Sequence, residues 1–182
     1  PMSTLDLLSI KWSLFEKLIT VNNWQKQEFV LFTFGEPETR WYALRNPKII
    51  YDNFNSEDVQ KILMPFIDAA KQIFIKIDKL GLQPIVWGGH CSPNRNEAGK
   101  KDIEFKGNYW IRNQMVKFWH EQMKQFASEN NWLFISVVPL MLKSDGKTNT
   151  FLLNSEEDVH LRTDFLEGFL ISELCRNGII IG

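Results

Sequence analysis

Phe29-Val30-Leu31-Phe32-Thr33-Phe34-Gly35-Glu36-Pro37-Glu38-Thr39-Arg40 is the stretch on which the reading of this chain turns. A nearly continuous apolar run closed by a glycine suits a strand buried on both faces, as in a parallel sheet between helices. Gly35 permits a tight exit from that strand. Immediately behind it stand two carboxylates and a guanidinium. The carboxyl ends of parallel strands are where open α/β sheets hold their ligands, so Gly35, Glu36, Glu38 and Arg40 are candidate substrate-binding residues. Arg40 can hold the neighbouring carboxylates by paired hydrogen bonds; an ion pair that only tightens the loop is the competing reading.

Outward from this strand, helical and extended periods alternate. Leu7, Ile10, Leu14 and Leu18 fall at helical spacing before it. After it, Ser56 with Glu57 and Asp58 predicts a helix N-terminus. Val59, Ile62, Leu63, Phe66, Ala70, Ile73 and Ile77 carry that helix to Gly81, with a bend expected at Pro65. A second strand is expected over Gln83–Gly89, and a third over Trp132–Val138. Between them a polar segment leads into a helix whose inner face holds Met115, Trp119, Gln122 or Met123, and Phe126. Ser144-Asp145-Gly146-Lys147 reads as a turn, and Thr163 to Arg176 as the last helix. The order strand, helix, strand, helix, strand, helix predicts a parallel sheet covered on both faces.

In that topology the three strand exits share one edge, and Gly88-Gly89-His90-Cys91-Ser92 joins the first loop there. Paired glycine amides can face an oxyanion, which makes Gly89 and His90 further substrate-binding candidates. Cys91 beside a histidine invites a nucleophile reading, although neighbouring residues of a strand-end loop point in different directions. His160 follows Glu157 and Asp158 closely enough for a carboxylate to hold its tautomer while the other ring nitrogen faces a substrate. An exposed histidine in an acidic turn is the competing reading. His120, in the middle of an aromatic helix, reads as a packing residue.

Composition narrows the classes. A chain of 182 residues, 44% hydrophobic and 24% charged, is expected to form a single domain over residues 1–182. Its 21 basic and 22 acidic side chains are well mixed, which speaks against a nucleic acid partner. No apolar run approaches the roughly 20 residues needed to cross a bilayer, so no membrane association is expected. Cys91 and Cys175 stand far apart, and without a disulfide framework a reducing, cytoplasmic setting is expected. The three histidines show no metal-binding spacing, and no glycine-rich phosphate loop occurs. Neither a metal nor any other cofactor is expected. Pro1 ahead of Met2 suits a tag scar or a segment of a longer chain.

Phe34-Gly35-Glu36-Pro37-Glu38-Thr39-Arg40 resembles the Phe-Gly-Glu-Ile-Asp-Cys-Arg block of a bacterial branch of SGNH/GDSL-like hydrolases. Glu157-Asp158-Val159-His160-Leu161 is similar to that family's last block, Asp-x-x-His-Leu. The resemblance implies a three-layer α/β/α domain with a mainly parallel, flavodoxin-like sheet, here reduced in strand number. It further implies hydrolysis of an acyl or acetyl ester, on a carbohydrate among other carriers. His160 would be the general base, Glu157 or Asp158 its orienting acid, and the loop from Gly35 to Arg40 part of the substrate and oxyanion wall.

The family's Gly-Asp-Ser block has no match in the 182 residues, and neither does Gly-x-Ser-x-Gly. Three readings stay open: the serine lies outside this sequence, another chain supplies it, or this is a member that binds without cleaving. Such a module would recognise a glycan or a protein partner, with Trp41, Tyr42 or Trp87 as stacking aromatics. A small sheet also predicts a partner chain or a second copy over its edge.

Overall fold

The computed structural model of the chain describes residues 3–8, 12–21, 28–35, 38–39, 55–95, 98–100, 103–105, 108–156 and 158–179. In order these form α1 (Thr4–Asp6), α2 (Trp12–Val21), β1 (Phe29–Phe32), α3 (Ser56–Lys79), β2 (Gln83–Trp87), β3 (Ala98–Lys100), β4 (Ile103–Phe105), α4 (Tyr109–Glu129), β5 (Leu133–Ile135), α5 (Val138–Met141) and α6 (Thr163–Arg176). A short 3-10 turn occupies Thr150–Leu152.

Three strands form a parallel sheet in the order β1-β2-β5. Phe29 is in register with Gln83 and Phe32 with Val86, while Ile85 pairs with Leu133 and Trp87 with Ile135. Alternation along the strands sends side chains to two separate cores. Val30, Phe32, Val86 and Phe134 pack with the inner faces of α3 and α4. Leu31, Ile85, Trp87, Leu133 and Ile135 pack on the opposite side with Val138, Met141, Phe165, Phe169 and Leu170 of α5 and α6. Both crossover helices therefore cover one face and the C-terminal helices the other, which gives an α/β/α sandwich with a reduced sheet. Apolar residues on consecutive positions of the strands suit this arrangement, because helices cover both faces, although β1 is only half-buried and its Phe29 is exposed.

Differences from the sequence reading are local and have local causes. The long helix is capped one residue earlier than expected: the Asn55 side chain accepts from the amides of Glu57 and Asp58, and Asp58 returns a bond to the Asn55 amide. It runs through Pro65, which stands on the exposed side where a missing amide is tolerated. The third strand ends at Ile135, because Ser136 accepts from the Val138 amide and Pro139 falls in the first turn of α5. β3 and β4 form a separate antiparallel hairpin inside the polar segment that precedes α4. α4 begins at Tyr109, capped by Asn108 on the Ile111 amide. Trp87 is buried in the second core and cannot serve as a stacking platform.

Among the described residues no helix is long and apolar enough to cross a membrane. Replacing Asn55 by Ala removes a cap that satisfies two amides and is expected to cost about 1 kcal/mol. A thermal melt is expected to show a midpoint lowered by about 2–4 °C for a chain of this size.

Candidate functional site

At the carboxyl end of β1 the chain turns through Gly35, whose φ of 104° lies in the left-handed region. The Gly35 carbonyl accepts from both the amide and the hydroxyl of Thr39, at 2.9 and 2.7 Å. Glu38 is only 1% exposed. Its Oε2 accepts from the Gly35 amide at 2.9 Å and its Oε1 from the Thr4 amide at 2.8 Å. Thr4 opens α1 and its hydroxyl donates to the Phe66 carbonyl of α3, so one carboxylate fastens the strand exit to the N-terminal turn and the long helix. Its oxygens are turned into the protein. Glu36 and Arg40 lie outside the described residues, as do Trp41 and Tyr42.

Below this turn lies Trp119 of α4, fully buried. A Cβ on Gly35 would come within 2.6 Å of the indole Nε1, and one on Gly89 within 3.4 Å of its Cδ1. Gly89 also has a positive φ, 80°. Two glycine turns, one after each of the first two strands, thus rest on the same indole edge. Among the described residues the buried Trp119 Nε1 has no hydrogen-bond partner, a cost accepted for this close backbone approach.

The exit of β2 is bound by a second set of contacts. Arg112, fully buried in the first turn of α4, donates to Ser92 Oγ at 2.7 Å and to the carbonyls of Pro93 and Arg95. Asn94 exchanges two bonds with the backbone of Thr148, whose hydroxyl donates to the Ser92 carbonyl at 2.6 Å. Asn113 donates to Thr148 Oγ1 and to the Gly146 carbonyl. The turn at Gly146, expected from the sequence, is therefore an anchor for the neighbouring loop.

His90 completes the link to the C-terminal segment by donating from Nε2 to the Val159 carbonyl at 3.0 Å. The next residue is His160. Its Nδ1 donates to Asp158 Oδ1 at 2.7 Å, its amide donates to the same oxygen at 2.9 Å, and Asn154 Nδ2 approaches Asp158 Oδ2 at 3.3 Å. An isolated bridge between Leu153 and Leu161 holds the turn from below. The His160 side chain is 70% exposed. Since a carboxylate only accepts, Nδ1 carries the proton, and Nε2 is the nitrogen left with a lone pair. Partial burial by itself would raise the Asp158 carboxyl, but the bonds from the His160 amide and ring and from Asn154 outweigh it and hold the group below the usual carboxylate range.

The structure therefore brings Gly35, Gly89, His90, Asp158 and His160 to one end of the sheet. Of the two acids open as partner to His160, Asp158 makes the contact; Glu157 lies outside the described residues. The nucleophile candidates on the β2 exit fare differently. Burial pushes the Cys91 thiol up to about 12, far from a thiolate at neutral pH. Ser92 is buried and accepts from Arg112. His120 is buried edge-on to Phe134, as a packing residue would be, and also bonds Ser136 Oγ at 2.9 Å. The sequence carried no sign of the Ser136 contact, which joins residues of two elements. Among the described residues no group of three or more His, Cys, Asp or Glu side chains could hold a metal ion.

Gly35→Ala forces a β-carbon against the indole at a left-handed φ and is expected to cost about 3 kcal/mol or more, measured by urea unfolding. Asp158 is expected to titrate below an unfolded aspartate in a carboxyl chemical-shift titration, with His160→Ala raising the midpoint. The sign follows from proton binding. The folded state holds the proton less tightly, so the stabilisation is complete above the ordinary carboxylate range and is lost as pH falls through the depressed value.

No protein-family model matches the sequence, and neither does any curated protein. Solved structures do. A GDSL-like lipase from Bacteroides thetaiotaomicron superposes with a TM-score of 0.62 at 11% identity, over 97% of this chain and 72% of that one. A gut microbial diltiazem-metabolizing enzyme gives 0.50 at 19% identity, over 83% of this chain and 32% of that one. An extracellular lipase from Streptomyces rimosus gives 0.49 at 13% identity, over 96% and 76%. At such identities the likeness is one of architecture, and the chain has the α/β fold of a GDSL-like lipase.

Proposed function

We propose that this chain is an ester hydrolase of the SGNH kind, or a derivative of one, acting on acyl or acetyl esters, including esters carried by a carbohydrate. The observation that carries the reading is the Asp158–His160 pair, with its imidazole exposed beside the strand exits and its tautomer fixed by the acid. A histidine held in this way can serve as a general base.

In the proposed reaction His160 Nε2 takes the proton of a serine hydroxyl supplied from outside this sequence. The serine oxygen attacks the ester carbonyl, and the carbonyl electron pair moves onto its oxygen. Collapse of that intermediate expels the alcohol, which receives the proton from His160, and water repeats the sequence to free the acid. Asp158 stabilises the imidazolium formed midway. With the Gly35 amide committed to Glu38, the Gly89 amide is the proposed donor to the oxyanion. Glu38 acts here as a positioning residue, while Glu36, Arg40 and His90 complete the proposed substrate wall.

A second reading draws on the burial of Cys91 and Ser92, which leaves neither nucleophile candidate of the β2 exit available. In that reading the chain is a binding module for a glycan or a protein partner. Fluorophosphonate labelling combined with an acetyl-ester assay, run on the chain together with the segment or partner chain that supplies the serine, separates the two. Hydrolysis lowered about 100-fold or more by His160→Ala, and less by Asp158→Asn, supports the hydrolase; no labelling and no turnover from folded protein support the module.

A further inference from the structure

We propose that the cleft beside the His160 turn, walled by Phe151 and Arg162, is a subsite for a neutral sugar ring. Phe151 is 74% exposed, more than any other large hydrophobic side chain among the described residues. Its ring is held from one side. The Arg162 guanidinium lies 5.2 Å from the ring centroid and is itself fastened to Asp164 through two bonds, from Nε to Oδ1 and from the terminal nitrogen to Oδ2. A phenyl ring kept in place yet open to solvent is a platform for an apolar face.

The cleft that the ring borders has a volume of about 650 Å³, within the range of small-molecule sites, about 300–1,000 Å³. It adjoins the histidine turn through one shared residue. Asn154 lines it and also reaches Asp158 Oδ2 at 3.3 Å, while the Asn154 amide donates to the His160 carbonyl at 3.0 Å. Asn154 is thus the residue common to the cleft and to the turn that holds the proposed base.

The lining selects the ligand by elimination. Glu156 and Asp164 face a single cation, Arg162, which Asp164 already engages, so a phosphate or carboxylate would meet uncompensated negative charge. Asn154, Ser155, Glu156 and Thr163 make the remaining wall polar, and an acyl chain would strand those groups without water. A pyranose meets both demands, with its C–H face on the ring and its hydroxyls on the amide and carboxylates. The inference rests on the reading above for the chemistry at His160: the shelf would hold the sugar that carries the ester. It also replaces Trp87, which the fold buries, as the stacking residue.

The test measures binding without turnover. Unesterified hexasaccharides of β-1,4-xylan, β-1,4-glucan and β-1,4-mannan are titrated into the full chain and followed by saturation-transfer NMR. Transfer to ring C–H protons of at least one is expected, with affinity roughly ten-fold weaker in Phe151→Ala and kept in Phe151→Tyr. Phe29→Ala, at the opposite end of the strands, is expected to leave it unchanged. Absence of transfer from all three, or binding that survives Phe151→Ala, overturns the proposal. Sugar binding by a chain that turns over no ester even when supplied with its serine upholds the shelf and removes the hydrolase; ester turnover without sugar binding does the reverse.

Discussion

The edge of one indole sets the geometry at the end of the sheet where the candidate site lies. Trp119 lies where two strands leave the sheet: any side chain on Gly35 would strike the ring, and Gly89 is favoured by its left-handed backbone. Cores are packed too densely to give way by such an amount. The backbone of the first exit is thereby brought down onto α4, and Glu38 locks it from above by bonding the amides of Gly35 and Thr4. Removing either the ring or the carboxylate would release the turn from one side.

From that base the second exit is carried outward to the histidine. Arg112 holds the loop after β2, Thr148 joins it to the segment after α5, and His90 spans to the Val159 carbonyl. His160 is thus oriented by a chain of buried or half-buried bonds while its own ring stays in water. A base needs that combination: a fixed tautomer from below and an open nitrogen above. The same burial that secures the β2 loop also encloses its thiol and hydroxyl, which separates the scaffold of this rim from its exposed imidazole.

Departures from ordinary packing gather at this end. Gly35 and Gly89 have left-handed backbones, Trp119 Nε1 lacks an acceptor among the described residues, and Arg112 is a wholly buried cation. The two cores on either face of the sheet, in contrast, are regular aliphatic and aromatic packing. Local rules broken together in one place, with the rest of the fold obeying them, mark where a protein has been shaped for something other than stability.

Much of this was legible in the chain itself. Consecutive apolar residues over Phe29–Phe32 and Gln83–Trp87 require cover on both faces, and the helical periods between them supply it; hence the parallel sandwich. Gly35, Gly81 and Gly146 marked turns because their places in the pattern left no room for continued structure. Pairing Asp158 rather than Glu157 with His160 was beyond reach, since adjacent acids differ only in where the turn aims them. The roles of Trp119, Arg112 and Thr148 were hidden for a related reason: a Trp or Arg within a helical period reads as core or surface whichever loop it supports. Periodicity encodes which face of an element meets the protein. Which loop a side chain meets depends on elements distant in sequence coming to the same end of the sheet, and only their packing settles that.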